Sequence, residues 1–334
     1  MATGKFFQEI ELPEQKLQDD GVLFPTVLTP NPSIDFTGVK LSDFEEAIRA
    51  NKLWLESLLQ KRGVILFRGF HVSSPSEFSR VVEAFGFPDI PHEKGGSRAA
   101  RTKVVERVYT PNEFPLDKEL PLHHEMTYVP NPPTKLFFFC DEEPQKGGET
   151  PVVLSHIIYE KMKEKHPEFV ELLEEHGLTY IKLASETNDP STINGTGWKT
   201  TYNTNDKSVA EERAAQFGTK LEWIGDVARI TTNPMPGIRF DKESGKKTWF
   251  NSLSLTYNGH ANRNNNIGNS SVELGNGEPV PDDVMEYYMK IVEEECVAIP
   301  WKKGDVMLVN NLIALHGRRP LLKPPRRILV SLCA

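Results

Sequence analysis

The residues best equipped for chemistry are His123 and Glu125, in the run Leu122-His123-His124-Glu125, together with the distant His316. Residues two apart on a β-strand point to one face, so His123 and Glu125 converge while His124 between them points away. Two imidazoles and a carboxylate on one face, with the other coordination positions open, form the ligand set of non-haem Fe(II) oxygenases. The same three groups also suit a hydrolytic zinc ion carrying a water. A barrel that keeps the metal and acts only as a binding module is a third alternative, because every ligand can survive loss of turnover.

Two further residues bear on the choice. Thr150 follows the turn Gly147-Gly148-Glu149, where glycine lets backbone approach a ligand closely, and its hydroxyl can donate to a carboxylate. Arg327 stands eleven residues beyond His316, after Lys323-Pro324-Pro325 and at the head of Ile328-Leu329-Val330. An arginine entering a buried strand wants an anion, and its planar guanidinium matches a carboxylate bidentately. Such charge-assisted bonds contribute about 1.5–3 kcal/mol each. A structural ion pair with a nearby acid is the other reading of Arg327.

The chain behind these residues is an ordinary globular one: 334 residues, 38% hydrophobic and 26% charged. A net charge of −8 argues against nucleic acid or an anionic membrane as partner, since both need a basic face. Cys140, Cys296 and Cys333 are too few and too scattered for a disulfide framework or a structural zinc site. A reducing compartment fits them, and Cys140, ending Leu136-Phe137-Phe138-Phe139, reads as a buried, inert thiol. The start carries no signal-peptide core, and no stretch approaches the roughly 18 apolar residues of a membrane span. A cytoplasmic protein acting on a small molecule is expected, its oligomeric state open.

The positioning elements follow from pattern. One amphipathic helix is expected from Ser42, as N-cap, to about Gln60, then a buried strand at Val64–Phe67 and a helix from Ser76 to Phe85. One strand is expected near Lys103–Tyr109 and two between Leu122 and Phe139. Helical insertions follow near 155–176, and strands at Thr179–Leu183, Ala228–Thr232 and Thr248–Phe250. A polar loop insertion covers 258–278, Asp282–Glu295 is a helix, and strands close the chain at Val297–Pro300, Asp305–Asn310, Ala314–Arg318 and Arg327–Leu332. Strands surround the motifs and helices decorate them. The expectation is a mainly β (α+β) fold, one domain over 1–334 with a single barrel or sandwich core.

The combination LHHEMTYVPNPP, GGETPVV, GDVMLVNN, HGR and RRILV resembles the taurine dioxygenase-like branch of Fe(II)/2-oxoglutarate oxygenases, and within it the plant clavaminate synthase-like proteins. The likeness runs from Gly63-Val64 to the C-terminal strand. It implies a double-stranded β-helix (jelly roll) with Fe(II) held by His123, Glu125 and His316. It implies that Thr150 and Arg327 hold the far carboxylate of the cosubstrate 2-oxoglutarate, Arg326 pointing the other way. The reaction implied consumes O2, releases succinate and CO2, and oxidises a C–H bond of the substrate. A buried dicarboxylate anchor has no purpose in a zinc hydrolase, so Arg327 discriminates between the two. Two departures stand out: the carboxylate ligand is Glu where Asp is commoner, as in the clavaminate synthase-like subgroup, and Ser331 occupies the place of the arginine that holds a sulfonate. The second argues against taurine itself.

Three residues are candidates for substrate contact. Ser97 and Arg98 lie on a glycine loop that could close over substrate or be plain surface. Arg318, two beyond His316, faces the pocket or forms a structural ion pair. His124 reads as structural, His176 as a cation at a helix end, and Asp141-Glu142-Glu143 as a solvated turn.

Overall fold

Two neighbouring strands, Lys135–Glu142 and Arg327–Cys333, show why the chain folds as it does. They pair antiparallel with Val330 opposite Phe138 and Leu329 opposite Phe139. Successive side chains point to opposite faces, and both faces are apolar. Leu136, Phe138, Cys140, Ile328, Val330 and Leu332 pack into one core, and Phe137, Phe139, Leu329 and Cys333 into another. Each such buried side chain contributes about 1.5–3 kcal/mol. A strand loaded on both faces must lie inside a layered structure, and this one does.

The fold is seen in a computed structural model describing residues 6–33, 40–90, 96–257 and 270–334. It is a mixed α/β architecture built on a large sheet. Eight strands lie in the order Phe7–Ile10, Thr26–Pro30, Val64–Phe67, Val306–Asn310, Lys135–Glu142, Arg327–Cys333, Val108–Tyr109, Lys103–Val105. Opposite its inner face lies a three-stranded sheet, Val152–Leu154, Ala314–Arg318 and Leu120–His123. The Phe138 ring of the large sheet stands 5.3 Å from the His316 ring of the small one. The site therefore sits between two sheets.

Helices cover the outer face of the large sheet. The expected single helix from Ser42 to Gln60 is two, Leu41–Ala50 and Lys52–Arg62, parted at Asn51. Asn51 leaves helical geometry (φ −110°, ψ 16°) and its side chain donates to the Ala47 carbonyl at 2.8 Å. The cap is also displaced: the Lys40 N–H donates to the Asp43 carboxylate at 2.7 Å, so Ser42 lies inside the helix. Helix Pro75–Phe85 starts as its sequence dictates, with Ser74 accepting from the Glu77 N–H and Gly86 closing it at φ 69°.

On the other side lie helices Ser155–Lys165, Pro167–His176 and Asp282–Glu295 and a four-stranded sheet. That sheet runs Thr219–Ile224, Val227–Thr232, Leu178–Ala184, Ser270–Leu274. Part of the expected polar loop is thus a strand, since Ser270–Leu274 pairs with Leu178–Lys182; residues 258–269 lie outside the described residues. Helices Trp198–Tyr202 and Lys207–Gln216 and strand Thr219–Ile224 are elements the pattern did not reveal. Two expected strands fall differently: Val297 makes only an isolated bridge to Val152, and Lys246–Thr248 replaces Thr248–Phe250. All three cysteines are free and buried, and burial pushes the Cys140 thiol up to about 12, the inert state expected of it. Among the described residues no helix is long and apolar enough to cross a membrane.

Candidate active site

The two histidines meet by strand pairing. His316 lies opposite Val152 on one side and His123 on the other, and the two imidazole centroids are 4.5 Å apart. Glu125 arrives differently from expectation. The strand ends at His123 and Glu125 lies in the turn that follows, so alternation does not bring it in. Asn311 does. Its side-chain oxygen accepts from the Glu125 N–H at 2.7 Å, and its amide donates to the carbonyls of Glu125 (3.0 Å) and Pro133 (2.7 Å).

The result is a three-ligand cluster. Glu125 Oε2 lies 3.8 Å from Nε2 of both His123 and His316, and one ligand atom from each residue falls within 4.8 Å of the others. His123 Nδ1–H donates to the Pro121 carbonyl at 2.8 Å, which leaves the Nε2 lone pair facing the cluster. Burial pushes the His316 imidazolium well below its ordinary range, so that ring is neutral. Burial would raise the Glu125 carboxyl, but the Arg101 guanidinium overcomes it, and the carboxyl lies well below the usual carboxylate range. A neutral His316 and an ionised Glu125 are the states a divalent metal requires of them, and the donor set of two imidazoles and a carboxylate fits Fe(II). His124 faces away: its Nδ1 bonds the Asn311 carbonyl, its ring packs on Phe250, and burial lowers its pKa to about 3.

Arg101 is a site residue that the sequence reading missed. Its Nη2 lies 3.0 Å from Glu125 Oε1, and the side chain is only 4% exposed. One carboxylate oxygen is thus held by Arg101 while the other faces both imidazoles. Nothing in the local pattern marks it, since the partnership is made across tertiary structure.

The carboxylate anchor requires a correction. Arg327 is not in the cleft: its side chain is 45% exposed and its Nη1 pairs with Asp141 at 2.5 Å. Arg326 lines the cleft instead, together with Thr150. Strand parity is the reason. Ile328, Val330 and Leu332 face the inner core, and Arg326 continues that even-numbered row. Arg327 pairs opposite Glu142 across a register shift at Arg327/Ile328, and its side chain turns outward to Asp141. Asp141 is accordingly a strand residue holding Arg327, not part of a solvated turn.

The Gly147-Gly148 turn makes room for Arg326. A Cβ on Gly148 would meet Arg326 Cδ at 2.6 Å, and the Gly148 carbonyl accepts from Arg326 Nε at 2.7 Å. Burial pulls the Arg326 guanidinium down to about 9. Beside it Thr150 Oγ1 accepts from Trp301 Nε1–H at 3.3 Å, which leaves the threonine hydroxyl proton to point elsewhere.

The remaining candidates divide. Arg318 lines the cleft, but its guanidinium donates to the carbonyls of Asn112, Phe114, Pro115 and Lys118; among the described residues it makes no ion pair, though Asp117 acts on it electrostatically. Ser97 is buried; its Oγ donates to the Ala99 carbonyl at 3.1 Å and its own carbonyl accepts from Thr196 Oγ1 at 3.3 Å. Arg98 is buried too, behind Tyr128, so neither residue is on plain surface. The cleft has a volume of about 50 Å³, with apolar walls from Leu120, Phe138, Leu255 and Ile328.

Comparison with known proteins agrees with this geometry. The chain is 48% identical over 327 residues to a clavaminate synthase-like protein of Arabidopsis thaliana, covering 97% of this chain and 98% of the relative. It is 25% identical over 276 residues to the dapdiamide synthesis protein DdaC of Enterobacter agglomerans, covering 80% of each. The crystal structure of PvcB from Pseudomonas aeruginosa shares the fold at a TM-score of 0.50 and 13% identity, covering 97% of this chain and 92% of that one. The family model described as Taurine catabolism dioxygenase TauD, TfdA family matches residues 26–333. This chain therefore belongs to the TauD/TfdA family of dioxygenases, enzymes that use Fe(II), 2-oxoglutarate and O2.

Proposed function

We propose that this chain is an Fe(II)- and 2-oxoglutarate-dependent oxygenase that oxidises a C–H bond of a small molecule, with release of succinate and CO2. The observation that carries the reading is the buried cluster of His123, Glu125 and His316 with Arg326 and Thr150 in the same cleft. The bound iron supplies O2 activation and oxidising power. The chain's own residues bind and orient. His123, Glu125 and His316 hold the metal, with Arg101 and Asn311 fixing the Glu125 carboxylate and backbone. Arg326 receives the far carboxylate of 2-oxoglutarate, and the Thr150 hydroxyl donates to it. The apolar walls keep bulk water from the reacting centre. A hydrolytic zinc site has no use for the Arg326 anchor; an inert barrel is separated only by turnover.

The eight- and three-stranded sheets, facing each other across the cluster, are read as the two halves of a double-stranded β-helix. The whole chain is read as one cytoplasmic oxygenase domain. The test is stoichiometry. Purified protein with Fe(II) and O2 is expected to convert 2-oxoglutarate to equimolar succinate, slowly without substrate, and Glu125→Ala is expected to abolish it. Undiminished turnover in Glu125→Ala would remove the carboxylate from the scheme, and no succinate from wild type would favour the inert barrel.

A further inference from the structure

The Glu125 carboxylate divides its two oxygens between different partners. Oε2 lies 3.8 Å from Nε2 of His123 and 3.8 Å from Nε2 of His316, and it completes the ligand set. Oε1 goes to Arg101, whose Nη2 stands 3.0 Å from it. Both side chains are almost fully enclosed, Arg101 at 4% exposure and Glu125 at 9%, so water competes little for either oxygen.

Nothing within Glu125 itself enforces that division. The backbone is pinned, since Asn311 accepts from the Glu125 N–H at 2.7 Å and donates to its carbonyl at 3.0 Å. The end of the side chain is not. The last torsion of a glutamate is broad and roughly two-fold, so its carboxylate swivels at little cost. Aspartate, one methylene shorter, has one torsion fewer to restrain. With the backbone fixed and the carboxylate free to turn, the charge-assisted contact to Arg101 is what sets its rotation.

That rotation matters to a metal. Cations accept carboxylates through one oxygen or through both. Three protein donors leave an octahedral ion three further places, and a second Glu125 oxygen would take one of them. A cosubstrate that chelates through two atoms would then fill the rest, and O2 would have none.

We propose that Arg101 is a positioning residue that restrains Glu125 to one oxygen toward the metal and so keeps a place open for O2. The role for O2 rests on the oxygenase reading, whereas the restraint on Glu125 rests on the geometry of the ion pair. Crystal structures of protein loaded with Fe(II) without oxygen test the restraint. Wild type is expected to keep Oε1 on Arg101 and out of bonding distance of the metal. Arg101→Met is expected to bring both oxygens onto the metal, and Arg101→Lys, which keeps the charge without the planar fork, to hold Oε1 back in part. Both oxygens on the metal in wild type overturns the proposal whether or not either variant folds. One oxygen on the metal in folded Arg101→Met overturns it as well, because a purely structural ion pair leaves the coordination unchanged.

Nitric oxide, which binds Fe(II) where O2 would and gives an electron paramagnetic resonance signal, then reads the open place. In wild type the signal with saturating 2-oxoglutarate is expected to stay within twofold of the signal without it. In Arg101→Met saturating 2-oxoglutarate is expected to lower it at least fivefold. A signal from 2-oxoglutarate-saturated Arg101→Met equal to that of wild type overturns the role for O2. Absence of any succinate release by wild type, with the Arg101-dependent coordination intact, is failure of the oxygenase reading and leaves the restraint standing.

Discussion

Buried cations on the two sides of Tyr128 are treated differently by the fold. On the triad side Arg101 is matched to Glu125, and Arg318 is engaged by four backbone carbonyls. Arg326 bonds one carbonyl and otherwise faces the cleft. On the far side neither Arg98 nor Lys182 makes an ion pair among the described residues, and Arg98 acts on Lys182. Arg98 and Arg318 are equally buried, so burial does not separate one kind of cation from the other. Counting partners does: both Nη atoms of Arg318 donate to backbone carbonyls, whereas among the described residues Arg326 bonds through Nε and neither Nη of Arg98 has a partner.

The comparison breaks most readily at Arg101. Replacing it with Met leaves Glu125 buried without its arginine, and such a break costs about 3–5 kcal/mol. The metal-free Arg101→Met protein is expected to lose stability on that scale, read by urea unfolding. Fe(II), added without oxygen, is expected to restore more stability to the variant than to wild type, because the metal then serves as counter-ion to Glu125. A metal-free variant as stable as wild type would show that the pair does not matter to the fold.

Arg318→Met sharpens the other half of the comparison. It strips the 112–118 carbonyls of their donor and is expected to cost about 2 kcal/mol, on the scale of hydrogen bonds to a charged group. Its effect on 2-oxoglutarate affinity is expected to stay within about threefold. A large loss of affinity with unchanged stability would reclassify Arg318 as a binding residue.

The smallest effect is expected at Lys182, and with the opposite sign. Exchanging an uncompensated buried cation for an apolar side chain of similar length is often stabilising. Lys182→Met is expected to gain about 1 kcal/mol at neutral pH. The folded-state pKa of Lys182 lies below its unfolded value, so the wild-type penalty is full below the folded pKa and fades as pH rises toward the unfolded one. The gain should therefore shrink from pH 7 to pH 10. A gain that grows with pH would mean Lys182 is not the source.

What the sequence made legible, and what it did not, follows the same line between local and tertiary information. His123, Glu125 and His316 could be picked out because two of them nearly adjoin and their chemistry is written in their types. How Glu125 gets there could not, since the strand stops at His123 and a distant Asn311 completes the turn. The resemblance carries the anchor role to Arg327, and Ile328-Leu329-Val330, apolar on both faces, offers nothing to check it against. Such a run carries no alternation from which to read which residues face the core. Only the pairing of Val330 with Phe138 fixes the parity. Helix Lys207–Gln216 escaped because it is largely polar, burying only Ala210 and Ala214.

The most direct measurement is calorimetric titration of 2-oxoglutarate, without oxygen, into the Fe(II)-loaded wild type, Arg326→Met and Arg327→Met proteins. Binding is expected to require Fe(II). Arg326→Met is expected to weaken it by about 30-fold, corresponding to about 2 kcal/mol for one charge-assisted anchor. Arg327→Met is expected to stay within about threefold of wild type, because that side chain is spent on Asp141 at the surface. Binding that ignores Fe(II), or that fails in Arg327→Met and survives in Arg326→Met, would contradict the account at its centre.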